Sequence, residues 1–342
     1  MNGLTEYARP LVQTGPARPD TALPLAGGAC WFTHVEILSR SSDPQILPVA
    51  EMSDSARIAL TTPRPPIAGL SMDHPRIMGI LNVTPDSFSD GGQHAGPARA
   101  VSHGRAMVAQ GADMIDIGGE STRPGAITVP EEAELARVEP VIRALYSSID
   151  APISIDTRKA AVAEAAVTAG AALVNDVSGF TYDKALAPYC AQHQLPVCVM
   201  HALGDPETMQ DNPHYDNVLL DIYDFLQAQI CMLIEAGIPQ HRIIADPGIG
   251  FGKTLAHNLT LLHNLSLFHG LGVPILLGAS RKGFIRTIGQ APNAEGRAPG
   301  SIAVALAAVA QGVQILRVHD VAETKQALRL WQAVERGEHD GA

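Results

Sequence analysis

RIMGILNVTPDSFSDGG, the stretch Arg76–Gly92, decides how the rest of the chain is read. Ile77–Val83 is a nearly continuous apolar run with no polar face for a helix to turn to water, which predicts a parallel strand buried on both sides. At Asn82 the character changes. Thr84, Pro85, Asp86, Ser87, Phe88, Ser89, Asp90, Gly91 and Gly92 set hydroxyls, carboxylates and glycines around one aromatic ring, which is loop chemistry placed directly after a strand. Polar groups gathered at the carboxyl end of a buried strand point to a ligand site.

Outward from this unit the pattern repeats. Apolar runs at Ile77–Val83, Met114–Ile117, Ile153–Ile155, Leu173–Asn175, Val197–Met200, Ile243–Ala245, Ile275–Leu277 and Gln314–Val318 read as eight strands. Helical patterns, many alanine-rich, lie between them, at Ala98–Gln110, Glu131–Tyr146, Lys159–Ala169, Asn217–Ala236, Leu255–Phe268 and Ser301–Gln311. Strand then helix, repeated over about 250 residues, is the sequence form of a closed (β/α)8 TIM barrel, an α/β fold. A doubly wound open sheet is the alternative.

Residues 1–62 read differently. Leu23-Pro24-Leu25-Ala26-Gly27-Gly28 is turn-like and Ala29–Leu38 holds a short strand-like run, so a small α/β appendage of unknown role is expected there. Residues 63–75, opening on Pro63-Arg64-Pro65-Pro66, read as a stiff proline-rich linker and barrel entry, and the barrel itself as 76–335.

Composition excludes some partners. With 35 acidic against 24 basic side chains and a formal net charge of −11, a nucleic-acid surface is not expected. Cys30, Cys190, Cys198 and Cys231 lack metal-ligand spacing and mostly sit in apolar segments, which fits a reducing cytoplasm. The amino terminus lacks a basic-then-apolar profile and no apolar run is long enough to cross a bilayer, so neither export nor membrane insertion is expected.

The strand ends carry the chemistry. Asn82, Asp116, Asp156, Asn175, His201, Asp246, Ser280-Arg281-Lys282, and Arg317 with His319 each close an apolar run, and a barrel brings all of them to one face. A lone carboxylate at a strand end would be a cap or turn residue; eight such ends argue for a shared pocket. One group, Asn82, Ser87, Thr122, Arg123, Arg317 and His319, suits phosphate oxygens, with the loop Gly118–Gly125 able to close over an anion. Arg317 taken alone could instead pair with Asp320. The other group, Asp156, Asn175, Asp246 and Lys282, suits the fused donor and acceptor edges of a heterocycle. Met200 and Phe251 offer apolar faces for a flat ring, or are plain core side chains. Gly248–Thr254 looks like a nucleotide phosphate loop, but Pro247 stands where its first glycine is needed, so nucleotide binding of that type is rejected.

These residues together resemble dihydropteroate synthases, a folate-pathway family. The resemblance rests on GILNVTPDSFSDGG at Gly79–Gly92 and GADMIDIGGESTRPG at Gly111–Gly125. SIDTR at Ser154–Arg158, VNDVSG at Val174–Gly179, DPGIGFGK at Asp246–Lys253, SRKGF at Ser280–Phe284 and RVHDV at Arg317–Val321 follow in order. It covers about residues 70–335 and leaves residues 1–62 unexplained. The resemblance implies transfer of a 7,8-dihydropterin-6-ylmethyl group from its diphosphate to 4-aminobenzoate, with release of pyrophosphate. It implies Asp156, Asn175, Asp246 and Lys282 on the pterin, with Met200 and Phe251 as its walls, and Asn82, Thr122, Arg317 and His319 on the diphosphate. It further implies Mg²⁺ on Asn82, with Asp86 or Asp116 completing that site, and Phe88, Ser89, Thr122, Arg123 and Pro124 on loops that form the aminobenzoate pocket. Asn82, Arg317, His319, Lys282 and Asp156 are the expected catalytic set, and Arg317→Met is expected to weaken pyrophosphate binding more than binding of a bare pterin.

The chain departs from the family where Met200-His201-Ala202-Leu203-Gly204 replaces a common Met-His-Met-Gln-Gly, and where Gly283 replaces a serine that could affect how aminobenzoate, or a sulfonamide mimic, is held. Two other functions compete: a corrinoid-linked pterin methyltransferase domain, which has no use for a diphosphate site, and a catalytically silent pterin-binding paralogue. A homodimer is implied by the resemblance, with the apolar Ile302–Val313 as a candidate interface.

Overall fold

In the computed structural model, which describes residues 7–84, 92–121, 125–205 and 207–338, the apolar runs form strands in the order the sequence predicts. Ahead of them β1 (Tyr7–Pro10), β4 (His34–Leu38) and β5 (Gln45–Pro48) make an antiparallel sheet, while β2 (Leu23–Pro24) pairs with β3 (Trp31–Phe32). Helix α1 (Asp54–Thr61) follows, capped by Ser53, whose hydroxyl accepts the Ala56 N–H at 3.1 Å. These elements enclose their own apolar cluster around Leu25, Phe32, Val35 and Leu60. They are fastened to the barrel's outside by Tyr7 Oη donating to Asp224 at 2.9 Å and by Arg40 pairing with Asp221 at 2.6 Å.

The barrel strands are β6 (Arg76–Asn82), β7 (Met114–Gly118), β8 (Ile153–Asp156), β9 (Leu173–Asp176), β10 (Val197–Met200), β11 (Ile243–Asp246), β12 (Leu276–Leu277) and β13 (Ile315–Val318). They run parallel in the spatial order β11-β10-β9-β8-β7-β6-β13-β12, and a parallel bridge between Ala245 and Ile275 joins the two ends into a ring. Closure removes the open-sheet alternative. Around the ring lie α2 (Gly92–Ala109), α3 (Glu131–Tyr146), α4 (Ala160–Ala169), α5 (Leu186–Gln192), α6 (Val218–Glu235), α7 (Leu255–His263), α8 (Gly283–Ile288), α9 (Ala298–Val309) and α10 (Val321–Arg336). The predicted helix Leu255–Phe268 is shorter than expected, because the chain leaves the α conformation at Asn264 and tightens into a 3-10 turn over Leu265–Leu271.

Period-two alternation sorts the barrel interior into layers. Met78, Met114, Leu173, Cys198, Ile244, Leu276 and Ile315 pack together in the lower interior, joined by Ile67 and Met72. The segment 63–75 therefore does more than link. Ile67 and Leu70 pair in a tight turn that closes the amino-terminal end of the barrel. Two residues further along seven of the strands the same inward positions fall to Ile80, Asp116, Asn175, Met200, Asp246, Gly278 and Arg317, so apolar packing gives way to polar groups as the strands approach their carboxyl ends.

Candidate active site

Arg317 is the hub of the polar layer. Its Nε donates to Asp116 Oδ2 and its Nη2 to Asp156 Oδ2, both at 2.6 Å. Asn175 Nδ2 donates to the same Asp116 oxygen at 3.2 Å. The two groups sorted by chemistry are thus one cluster: the arginine assigned to phosphate is bonded to the aspartate assigned to the heterocycle. Arg317 does not pair with Asp320, which is taken by Arg281 at 3.1 Å. Burial works against the Arg317 charge, but the carboxylates of Asp116 and Asp156 outweigh it and raise its pKa.

Asp116, a candidate metal ligand, sits deeper than the pocket rim. It is fully buried, paired in register with Ile80 and so one layer below Asn82, and its Oδ2 is committed to Arg317 and Asn175. Its Oδ1 is buried without a hydrogen-bond partner among the described residues. Asn82 ends β6 at the rim of the pocket. A Cβ built on Gly118 would lie 3.6 Å from Asp156 Oδ2 and 3.8 Å from Asn82 Oδ1, so both oxygens face the space that this glycine leaves open. Gly278 does the same opposite, where a Cβ would sit 3.6 Å from Asp246 Oδ2 and 3.9 Å from Arg317 Cδ.

Asp246 is held by the Gly248 N–H, which donates to its Oδ1 at 2.7 Å. Gly248 turns there with φ +68°, and a Cβ on it would lie 1.9 Å from the His201 carbonyl oxygen. Gly248→Ala should therefore cost at least about 2 kcal/mol of stability, read as a lower urea midpoint. The turn carries Phe251, and Lys282 Nζ stands 4.0 Å over the centre of its ring. Met200, buried at the end of β10, faces the same turn. Sequence reasoning missed Lys253, which lay inside the string set aside as a false phosphate loop. Its buried Nζ meets His201 Nδ1 and the Phe251 carbonyl, both at 2.9 Å, and so locks the β11 turn to the end of β10. His319 Nδ1 lies 3.0 Å from Ser280 Oγ, which orients the imidazole. Asp86, Ser87, Phe88, Ser89, Thr122, Arg123 and Pro124 lie outside the described residues.

Burial pushes the Asp246 carboxyl up to about 6, against the Gly248 N–H and the Lys282, Arg317 and Lys253 charges. Burial also raises Asp156, opposed by Arg317 and reinforced by Asp116. A carboxyl that keeps its proton to higher pH in the folded chain stabilises that chain below the ordinary carboxylate pKa and loses the effect as pH rises through the folded value. Compared with Asp246→Asn, which has no proton to lose, the ligand-free wild type should lose stability in urea as pH rises from about 4 to about 7. Binding of a ligand whose N–H groups need the ionised carboxylate should strengthen over the same window.

Buried carboxylates, an arginine and a lysine beside the apolar side chains of Met200 and Phe251 suit a flat, hydrogen-bond-rich ring next to an anion. Residues 78–319 match the family described as pterin binding enzyme. The chain belongs to that family. The dihydropteroate synthase of Escherichia coli (strain K12) is 46% identical over 264 residues, which span 77% of this chain and 93% of that protein. Among solved structures, Xanthomonas albilineans dihydropteroate synthase with 4-aminobenzoic acid shares 47% identity, with a TM-score of 0.74 over 78% of this chain and 96% of that one. The same enzyme in complex with 7,8-dihydropteroate gives a TM-score of 0.72 at 44% identity, over 78% of this chain and 95% of that one. Within the pterin binding family this chain is a dihydropteroate synthase, a transferase of folate biosynthesis.

Proposed function

We propose that the pocket binds the dihydropterin ring of a diphosphate ester through Asp156, Asn175, Asp246 and Lys282, between Met200 and Phe251, and transfers its exocyclic methylene to 4-aminobenzoate. The observation that carries this reading is the Arg317 fork, which ties the carboxylate that would receive the ring to the place where the diphosphate would sit. The C–O bond to the diphosphate breaks with its electron pair going to pyrophosphate. The amine lone pair of 4-aminobenzoate then forms the C–N bond, and the amine proton leaves to solvent. A neutral arylamine needs no activated nucleophile, so the barrier lies in departure of the leaving group. Arg317 and His319 face the growing negative charge, and Asp156 and Asp246 hold the electron-rich ring that supports the cation developing at its exocyclic carbon. Thr122, Arg123, Pro124, Phe88 and Ser89 are proposed to form the aminobenzoate pocket and exclude water.

Mg²⁺ fits the donors present. The Asn82 amide oxygen is a hard ligand at the rim, and Mg²⁺ commonly takes one or two protein oxygens, its remaining positions going to waters and substrate phosphates. Bound there, the ion would supply positive charge to the phosphate oxygens. Asp86 or Asp116, whose buried Oδ1 has no hydrogen-bond partner among the described residues, is the further ligand proposed. Calorimetry with pyrophosphate should show binding that Mg²⁺ tightens in the wild type and no longer tightens in Asn82→Ala; an unchanged Mg²⁺ effect in that variant would remove Asn82 from the site.

The same reading divides the chain into an appendage at 1–62, a barrel entry at 63–75 and a catalytic barrel at 76–335, supported by the separate apolar cluster of the first part. A cytoplasmic setting is supported by four free cysteines, and no helix among the described residues is long and apolar enough to cross a membrane. A homodimer is proposed across α9, whose Ile302, Val304 and Leu306 are only half-buried, and the adjacent α10, where Leu330 and Val334 are 66% and 70% exposed. Sedimentation should give twice the chain mass in the wild type and the single mass in Leu330→Glu/Val334→Glu.

A further inference from the structure

Beside the pocket lies a network of buried charges that the transfer reaction does not use. Arg158 and Lys159, two and three residues past Asp156, have side chains only 4% exposed. The Arg158 guanidinium reaches three loops. Its Nε donates to Glu120 Oε2 at 3.2 Å and its Nη2 to Thr128 Oγ1 at 2.9 Å, both on the loop after β7. Its Nη1 donates to Asp205 Oδ1 at 3.3 Å, on the loop after β10. Its flat face lies 3.9 Å from the centre of the Tyr182 ring, on the loop after β9. Lys159 Nζ fastens the first loop from beneath, donating to Glu134 Oε2 and to the Val129 carbonyl, both at 2.6 Å. Glu120 Oε1 accepts the Val129 N–H at 2.7 Å, so the two stems of that loop are pinned to each other as well.

Burying an arginine is costly, and one carboxylate would suffice to compensate its charge. Here the donors of one rigid fork are spent on separate loops at the carboxyl face of the barrel. We propose that Arg158 is a positioning residue that couples the loops after β7, β9 and β10, and that it thereby sets the affinity for the arylamine substrate. This inference rests on the assignment of the loop after β7 to the aminobenzoate pocket. Lysine in its place would keep the charge but lose the planar fork, so the proposal separates geometry from charge.

The test is amide hydrogen exchange on the full chain, followed by steady-state kinetics. Arg158→Lys and Arg158→Gln should both speed exchange in peptides covering 125–130 and 203–205 by about tenfold, the loss of one or two charge-assisted hydrogen bonds. Asp205→Asn should speed exchange in 125–130, on another loop, by about twofold, the smaller effect of an exposed partner. The KM for 4-aminobenzoate should rise about tenfold in Arg158→Lys, while kcat and the Kd for a bare pterin stay within about twofold. Exchange that is unchanged in Arg158→Lys, or faster in one loop only, would overturn the coupling. Pterin Kd and aminobenzoate KM rising together would reduce Arg158 to a structural residue. A wild-type chain with coupled exchange but no turnover would instead count against the reaction.

Discussion

Asp246→Ala should lower affinity for a dihydropterin by on the order of a thousandfold, because a site built to accept ring N–H groups leaves them unpaired when its acceptor is removed. Asp246 is buried at the end of β11, pre-oriented by the Gly248 N–H and backed by Lys282. Asp246→Asn keeps the shape but offers an amide donor to part of the same edge, and should fail nearly as badly. Neither substitution should unfold the chain, since removing a desolvated carboxyl takes away a burial cost. Calorimetry with a bare pterin reads this directly. Affinity within tenfold of wild type in both variants would displace the ring from Asp246.

The second large effect is Arg317→Met, and its outcome differs from the one the sequence suggests. Read as a phosphate ligand alone, Arg317 should matter for pyrophosphate and little for a bare pterin. In the fold, its loss leaves Asp116 and Asp156 facing each other in the barrel interior with no cation bonded to them. Stripping one partner from a buried charge cluster typically costs about 3–5 kcal/mol, and proton uptake by Asp156 would relieve part of it. Urea unfolding should show a loss of that size, partly restored in Arg317→Met/Asp156→Asn. Affinity for the bare pterin should fall along with affinity for pyrophosphate. A stability loss under about 1 kcal/mol, with pterin binding intact, would mean that the Arg317 fork is not what organises the site.

The difference between those two expectations shows where sequence reasoning reaches its limit. Period and composition are local, so the eight apolar runs, their order and the polar character of their ends could be read from the chain, as could the family through its long motifs. Which strand-end groups touch depends on the stagger of the strands around the ring. That stagger brings Arg317 of β13 to Asp116 of β7 and Asp156 of β8, and no run of residues encodes it locally. Asn82 and Asp116 are 34 positions apart and nothing local tells their depths apart, yet the register sets Asp116 beside Ile80 and leaves Asn82 at the rim. Lys253 was hidden for another reason: a lysine after glycines suggests a phosphate, whereas here it is buried against His201 as a clamp. Ile67 and Met72 looked like linker residues because their partners, the lower interior side chains, come from strands spread over the whole barrel.

The products decide the reaction most directly. Purified chain supplied with the dihydropterin diphosphate, Mg²⁺ and 4-aminobenzoate should release pyrophosphate and form dihydropteroate in equal amounts. Tight pterin binding with neither product formed would contradict it, and would make this chain a pterin-binding paralogue without the reaction.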